Sequence, residues 1–241
     1  MERIPGPAIW VEGLFKGFGG QPVLRDLSLT VPWGEFLVIF GSNGAGKTTL
    51  LRILSTQSKP DRGLVRVGGL DRRRDAPRIR RLVGVVAHQD LLYVDLTVAE
   101  NLRFYGRMYG IQELPSRITR VLHEVGLAEH RDQRVGTLSH GMQKRLALAR
   151  AILHAPPILL LDEPEAGLDP EALEGLGVLL RSWRGGDRTV VMTTHDLEQG
   201  LALGDRIAIL VGGGIAFDEA REGLDVAGFK DTLLRYTGVA W

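Results

Sequence analysis

Nine residues, GSNGAGKTT at 41–49, constrain this chain more than any other stretch. They match the pattern G-x-x-x-x-G-K-[ST] and stand between a predicted buried strand at 35–40 and a predicted helix at 46–56. Glycines here let backbone N–H groups approach a polyphosphate without Cβ clashes, and the lysine can reach the β and γ phosphates. The stretch therefore predicts a nucleoside-triphosphate site. Its predicted binding residues are Gly41, Ser42, Asn43, Gly44, Ala45, Gly46, Lys47, Thr48 and Thr49.

A second segment, ILLLDEP at 158–164, supplies the acidic half of such a site. Its four apolar residues predict a buried strand, and Asp162 follows at the carboxyl end, where open α/β sheets place their ligands. We expect Asp162 and the hydroxyl of Thr48 to hold Mg²⁺. Glu163 is expected to polarise an attacking water. The alternative, that Glu163 only caps the next turn, gives no reason for two adjacent carboxylates that repel each other.

Short apolar runs alternate with helical patterns along most of the chain. The predicted strands are 35–40, 81–88, 157–162, 189–195 and 206–213, and the predicted helices are 46–56, 97–108, 140–154, 170–184 and 196–203. This alternation predicts an α/β fold of the P-loop NTPase, RecA-like kind with a mostly parallel sheet. Residues 8–34 predict an antiparallel β side layer, and 91–155 an inserted helical subdomain. We expect one domain over 1–220 and a tail at 221–241 that forms a short amphipathic helix packed on the core.

The composition excludes several other classes of function. The chain has no cysteine, which rules out disulfides, thiolate metal sites and cysteine nucleophiles. A formal net charge of +1 argues against a nucleic-acid partner, and the basic run at 71–81 predicts a solvated loop and helix, with a lipid-headgroup or nucleic-acid patch as the alternative. No secretory signal is apparent, and the apolar runs fall far short of the roughly 20 residues that span a bilayer. We expect a soluble chain that reaches a membrane through a partner.

The segment TLSHGMQKRLALARA at 137–151 begins a predicted helix and contains no acidic residue. Ser139 is a suitable N-cap, and Met142 and Leu146 follow at helical spacing. The start of such a helix carries a partial positive charge and attracts anions. The residues alone leave open which anion binds there.

In this order, the segments at 41–49, 137–151 and 158–164 resemble the ATP-binding subunits of ABC transporters, over about residues 8 to 220. The resemblance implies ATP and Mg²⁺ as ligands and ATP hydrolysis as the reaction, with Glu163, His195 and Lys47 as catalytic residues. It implies that His195 in TTHDLEQ contacts the γ-phosphate. It also implies that Gln89 ligates Mg²⁺ and links the core to the helical subdomain.

The same resemblance implies further contacts with the nucleotide and with a second chain. Phe18 in KGFGG would stack on adenine, the alternative being a small core aromatic. Asp169 would lie near a partner subunit. Ser139 and Gly141 of one copy would cover the ATP on the phosphate loop of a second copy, in a head-to-tail dimer. Transmembrane permease subunits, at the cytoplasmic face of the membrane, would receive the motion through the Gln89 loop and residues 91–110.

This chain departs from the family pattern at three positions. The usual Leu-Ser-Gly-Gly-Gln is replaced by Leu138 to Met142, with His140 and Met142 as the changed residues. Glu165 adds a negative charge where small or neutral residues are usual, and the pattern assigns it no role.

The sequence leaves several hypotheses about the transported substrate and the function open. Residues 85–111 are similar to subunits assigned to haem export in bacterial cytochrome c maturation, and drug or lipid exporter subunits are nearly as similar. A soluble ABC ATPase acting on ribosomes or DNA is disfavoured, because the chain carries one such domain and no long coiled-coil insertion. A regulator that binds nucleotide without hydrolysing it is disfavoured because Glu163 and His195 are both present.

Overall fold

The structure is a computed structural model that describes residues 6–87, 91–185 and 188–238. Its strands are β1 (Ile9–Phe18), β2 (Gln21–Val31), β3 (Phe36–Phe40), β4 (Arg62–Val67), β5 (Leu70–Asp71), β6 (Val83–Val86), β7 (Ile158–Asp162), β8 (Thr189–Thr193), β9 (Arg206–Val211) and β10 (Gly214–Ala220). Its α-helices are α1 (Lys47–Leu54), α2 (Ala76–Leu82), α3 (Val98–Tyr109), α4 (Leu114–Glu124), α5 (His140–Ile152), α6 (Pro170–Arg181), α7 (Leu197–Leu203) and α8 (Val226–Thr237).

The main sheet has the strand order β10-β9-β3-β8-β7-β6. Its neighbouring strands pair in parallel from β9 through β6, and only β10 is antiparallel to β9. Every residue of β3, β7 and β8 is buried, which explains why these strands read as unbroken apolar runs. The predicted mostly parallel α/β sheet is confirmed. The prediction of one strand at 206–213 is incomplete, because the chain turns at Gly212 and Gly213 and returns as β10.

A second, antiparallel sheet lies beside the first, with the order β2-β1-β4-β5. It contains the antiparallel layer predicted for residues 8–34, extended by β4 and β5. The two sheets meet where Arg25 donates its backbone N–H to the carbonyl of Gly213 at 2.9 Å. Gly213 has φ +87°, and a Cβ there would lie 2.4 Å from the carbonyl oxygen of Val23, so only glycine allows this approach.

Residues 91–155 form the predicted helical region, with α3, α4 and α5 as its α-helices. Thr97 and Glu100 form a capping box at the start of α3. The apolar side chains between these helices are fully buried or nearly so, including those of Leu102, Ile118 and Val121. This region therefore has its own apolar contacts. Among the described residues, no helix combines the length and apolar character that crossing a membrane requires.

The basic run at 71–81 contains the predicted helix, which is α2 at Ala76–Leu82. The strand predicted at 81–88 is shorter, because β6 starts only after α2 ends, at Val83; His88 lies outside the described residues. Arg72 is buried rather than solvated, and its guanidinium donates to the carbonyls of Thr56 and Ser58 at 3.2 and 2.8 Å. Burying an arginine in this way fastens the loop to the end of α1.

The C-terminal helix α8 packs on the strand that leads into the phosphate loop. Phe229 and Leu233 are fully buried, and the Phe229 ring lies edge-on to Phe40, with the centroids 5.0 Å apart. Phe40 is the last residue of β3 and immediately precedes Gly41. The tail thus stabilises the strand end from which the loop starts.

Replacing Phe229 by alanine is expected to lower the free energy of unfolding by about 3 to 5 kcal/mol, because it removes a buried ring and leaves a cavity against β3. Urea denaturation followed by circular dichroism measures this change. Leu234→Ala, on the exposed side of the same helix, is the matched control and should change stability by less than about 1 kcal/mol. Equal losses in both variants would contradict the packing described here.

Candidate functional site

The phosphate loop joins β3 to α1, and its backbone requires glycine. Gly46 is the N-cap residue of α1 with φ +111°, and a Cβ there would lie 2.6 Å from the side chain of Leu24. Helix α1 has no side-chain hydrogen bond at its N-cap and no acidic residue in its first turn. Its N-terminal N–H groups therefore remain suited to an anion.

Lys47, at the start of α1, is held at the centre of the site. Its side chain is only 5% exposed, and its Nζ donates to the carbonyl of Gly41 at 2.6 Å. The same Nζ lies 3.2 Å from Oε1 of Glu163. The two opposite charges stabilise each other in this partly buried position. An incoming triphosphate would compete with Glu163 for the lysine.

Asp162 ends β7 and receives two hydroxyl groups. Oδ1 of Asp162 accepts hydrogen bonds from Oγ1 of Thr48 at 3.1 Å and from Oγ1 of Thr193 at 2.9 Å. Asp162 is 4% exposed and stands opposite Thr193 in the parallel pairing of β7 with β8. Thr193 was not predicted as a site residue. Its position at the end of a predicted strand, two residues before His195, could have indicated that it belongs to the site.

The carboxylate of Asp162 and the hydroxyl of Thr48 fit Mg²⁺, which prefers oxygen ligands and commonly binds through one or two protein groups plus phosphates and water. In the described part of the chain, no cluster of three or more His, Cys, Asp or Glu residues could hold a metal by itself. Two protein oxygens leave the other positions around such an ion to phosphates and water. Gln89, predicted as a further ligand, lies outside the described residues.

Glu163 and His195 meet beside Lys47. Glu163 adopts φ +48°, an uncommon left-handed conformation for a residue with a side chain, and its N–H donates to the carbonyl and the hydroxyl of Thr193 at 3.1 and 3.2 Å. Nδ1 of His195 lies 3.7 Å from Oε2 of Glu163, and the histidine side chain is 55% exposed. The fold therefore brings the three predicted catalytic residues together from three separate segments.

The helix start at Ser139 has the predicted cap. Oγ of Ser139 accepts the N–H of Met142 at 3.2 Å, and Ser139 itself is exposed. Nε2 of His140 lies 3.3 Å from the carbonyl oxygen of Ala166, and a Cβ on Gly141 would lie 2.7 Å from the Cβ of Ala172. The signature segment at 138–142 thus packs on the loop and helix start at 166–172 of its own chain.

Asp169 belongs to that same surface. It is exposed, and its Oδ1 caps α6 by accepting the N–H of Ala172 at 2.8 Å. Since Ala172 also lies against Gly141, the signature segment and Asp169 are neighbours. A second molecule that contacts one of them can contact both.

Phe18 ends β1 in the hairpin with β2, where it pairs with Gln21. Its side chain is 53% exposed, so the alternative reading as a small core aromatic is wrong. Nζ of Lys16 lies 4.8 Å from the centroid of its ring. Further along β2, the side chain of Leu24 lies against the space next to Gly46, which places this hairpin beside the phosphate loop. The ring offers a flat surface for stacking, and that role stays a prediction.

The chain matches the family model described as ABC transporter over residues 24–166. Nod factor export ATP-binding protein I of Ralstonia nicotianae is 38% identical over 220 residues, which cover 88% of this chain and 68% of that protein. Phospholipid-transporting ATPase ABCA3 of Rattus norvegicus is 38% identical over 192 residues. Those residues cover 79% of this chain but only 11% of that protein, so the chain spans about a tenth of its length.

A solved structure shares the architecture. The ATP-binding cassette MJ0796, in a dimeric post-hydrolysis state bound to ADP and Pi, aligns with a TM-score of 0.81 and 29% sequence identity. The alignment covers 90% of this chain and 100% of that one.

Proposed function

This chain belongs to the ABC transporter family of ATP-binding domains and is an ABC-type ATPase, and on that premise we propose that it powers a membrane exporter. The observation that carries the hydrolytic part of this proposal is the convergence of Lys47, Glu163 and His195 next to Asp162. One cation, one carboxylate and one imidazole at the end of a glycine-rich loop provide what hydrolysis of a phosphoanhydride needs.

We propose the following roles in hydrolysis. Lys47 exchanges its contact with Glu163 for the β and γ phosphates of ATP. Glu163 then accepts a proton from a water molecule as the water oxygen bonds to the γ-phosphorus and the bond from phosphorus to the β–γ bridging oxygen breaks. His195 donates a hydrogen bond to a γ-phosphate oxygen as charge develops there. Bound through Asp162 and Thr48, Mg²⁺ would neutralise phosphate charge.

The exposed start of α5 supports a second copy of the chain as one partner. Ser139 is exposed at the start of α5. Its neighbours His140 and Gly141 contact the loop and helix start at 166–172 of the same chain. We propose that Ser139 and Gly141 bind the γ-phosphate on the partner's phosphate loop, in a head-to-tail dimer. The dimeric state of the related cassette supports this arrangement.

We propose a transmembrane permease as the other partner, docked at α3. The outward face of α3 exposes Phe104 and Met108, which are 40% and 69% exposed, next to Arg103 and Arg107. Leu91 and Val94, just before the helix, are also about half exposed. Apolar side chains grouped with cations on one surface suit a protein partner. We propose that the chain works at the cytoplasmic face of the membrane, held there by this permease.

The names of the relatives support export of a lipid-like or other amphipathic compound, and we propose that substrate class first. One relative is named for Nod factor export and another for phospholipid transport. Haem export, suggested by residues 85–111, has no support in those names and stays an alternative. Selectivity would reside in the permease, so this chain supplies energy whichever substrate is carried.

Purification of the tagged chain from membranes of its own cells tests the proposal. We expect a polytopic membrane protein to copurify and to stimulate ATP hydrolysis. Met108→Asp should weaken the association, because it buries a charge in the interface. Leu234→Asp, which also introduces a charge in place of an exposed apolar side chain but on α8, is the control that should retain the association. Recovery of ribosomes or DNA in place of a membrane protein would overturn the proposal.

A further inference from the structure

We propose that Glu165 is a positioning residue for hydrolysis, which fixes the backbone that carries His195 by anchoring Thr194. The inference rests on the role of His195 proposed above. The family pattern assigns Glu165 no function. Its hydrogen bond runs to Thr194 and not to the phosphate loop.

The carboxylate of Glu165 is tied to the residue before His195. Glu165 is 6% exposed and Thr194 is fully buried. The hydroxyl of Thr194 donates a hydrogen bond to Oε1 of Glu165. The oxygen of that hydroxyl in turn accepts the N–H of Asp196 at 2.9 Å. The carboxylate of Glu165, the hydroxyl of Thr194 and the amide of Asp196 are therefore connected by hydrogen bonds, and the last two residues flank His195 in sequence.

The imidazole of His195 has little else to hold it. Its side chain is 55% exposed, and its 3.7 Å separation from Glu163 exceeds hydrogen-bond distance. The backbone on either side is fixed instead: Thr194 donates its N–H to the carbonyl of Ile39, and Asp196 caps α7 by accepting the N–H of Gln199 at 2.9 Å. The position of the ring thus depends on the backbone at 194–196, which Glu165 anchors.

Stability does not account for a carboxylate at this position. Oε2 of Glu165 is buried and has no hydrogen-bond partner among the described residues. Burial raises the pKa of Glu165, and the hydrogen bond from Thr194 opposes that rise. An apolar or hydroxyl-bearing residue would fill the space without the cost of burying an incompletely bonded carboxyl. Its hydrogen bond with Thr194 gives a reason for a carboxylate at this position.

Thr193, the last residue of β8, and Thr194, which follows it, each donate a hydrogen bond to a carboxylate. Thr193 donates to Asp162, the proposed Mg²⁺ ligand, and Thr194 donates to Glu165. Each threonine joins the 189–196 segment to the 158–165 segment, at the point where His195 and Glu163 must meet the same phosphate. Glu165 therefore acts on the distance between these two side chains.

Steady-state kinetics of the purified full chain test the inference. Glu165→Ala should lower kcat for ATP hydrolysis by about tenfold to a hundredfold, because a small displacement of a catalytic group has that effect, and should change KM by less than about twofold. Thr194→Val should reproduce the loss. Glu165→Gln and Thr194→Ser, which keep an acceptor and a donor, should retain at least about half of the activity. Thermal melting establishes that each variant is folded.

The decisive measurement repeats Glu165→Ala and Thr194→Val in a His195→Ala chain. If both residues act through His195, neither change should lower kcat further by more than about twofold. A full additional loss in that background would overturn the inference, as would normal kcat in both single variants. Normal hydrolysis by His195→Ala alone would instead refute the role proposed for His195. The failure of the parent proposal is therefore distinguishable from the failure of this one.

Discussion

Glu163→Gln should abolish ATP turnover while leaving ATP binding intact or tighter. The amide cannot accept a proton from water, so kcat should fall by about a hundredfold to ten-thousandfold, the usual contribution of a general base. Binding should not suffer, because Lys47 now pairs with Glu163 at 3.2 Å and would be released for the phosphates. Removing a negative charge beside the triphosphate acts in the same direction. Phosphate release and the Kd of a fluorescent ATP analogue measure the two effects.

Glu222→Gln provides the matched control for this prediction. It makes the same chemical change on an exposed carboxylate between β10 and α8 and should leave both quantities unchanged within about twofold. Hydrolysis at the normal rate by Glu163→Gln would remove Glu163 from the proposed mechanism. Loss of nucleotide binding in that variant would show that the Lys47–Glu163 pair is needed to shape the loop.

Ser139→Asp should inactivate the chain without unfolding it. Aspartate is a good N-cap and can accept the N–H of Met142 as the serine does, so α5 keeps its start. Its charge would face the γ-phosphate of the partner's ATP, and such like-charge contacts cost several kcal/mol, enough to lower ATPase activity by more than about a hundredfold. Ser139→Asn keeps a cap without the charge and is the control that should lose much less activity.

The same variant tests the head-to-tail arrangement when it is mixed with Lys47→Ala, which disables the phosphate loop of its own chain. In a mixed dimer, one site combines the two changed halves and the other combines the two unchanged halves. Random pairing should therefore restore activity to about a quarter of the wild-type level, although each variant alone is inactive. If the mixture stays inactive while copurification of differently tagged variants shows mixed dimers, the two halves of a site do not come from different chains.

The elements that the sequence predicted well are those with a local signal. Strands β3, β7 and β8 are buried on both faces and read as apolar runs, and the loop at 41–46 is recognisable because glycine is needed there for backbone reasons. Strands β4 and β10 were missed because both mix exposed residues with buried or half-buried ones and so lack an unbroken apolar run. Helix α4 was covered only by the general prediction of a helical region.

The sequence predicted those site residues that belong to recognisable motifs. Lys47, Asp162, Glu163 and His195 stand at strand or helix ends that meet at one edge of a parallel sheet, so their convergence follows from the fold class. The contacts of Glu165 with Thr194 and of His140 with Ala166 join residues 29 and 26 positions apart. No local pattern encodes such pairs, because they depend on how two loops pack at the sheet edge.

The left-handed backbone of Glu163 has a consequence for how such a chain can change over generations. At φ +48° a glycine would be relaxed, whereas a glutamate bears a conformational cost of about 1 to 3 kcal/mol. A chain that no longer needed turnover could therefore relieve this cost by replacing Glu163 with glycine, and it would lose the proposed base in the same step.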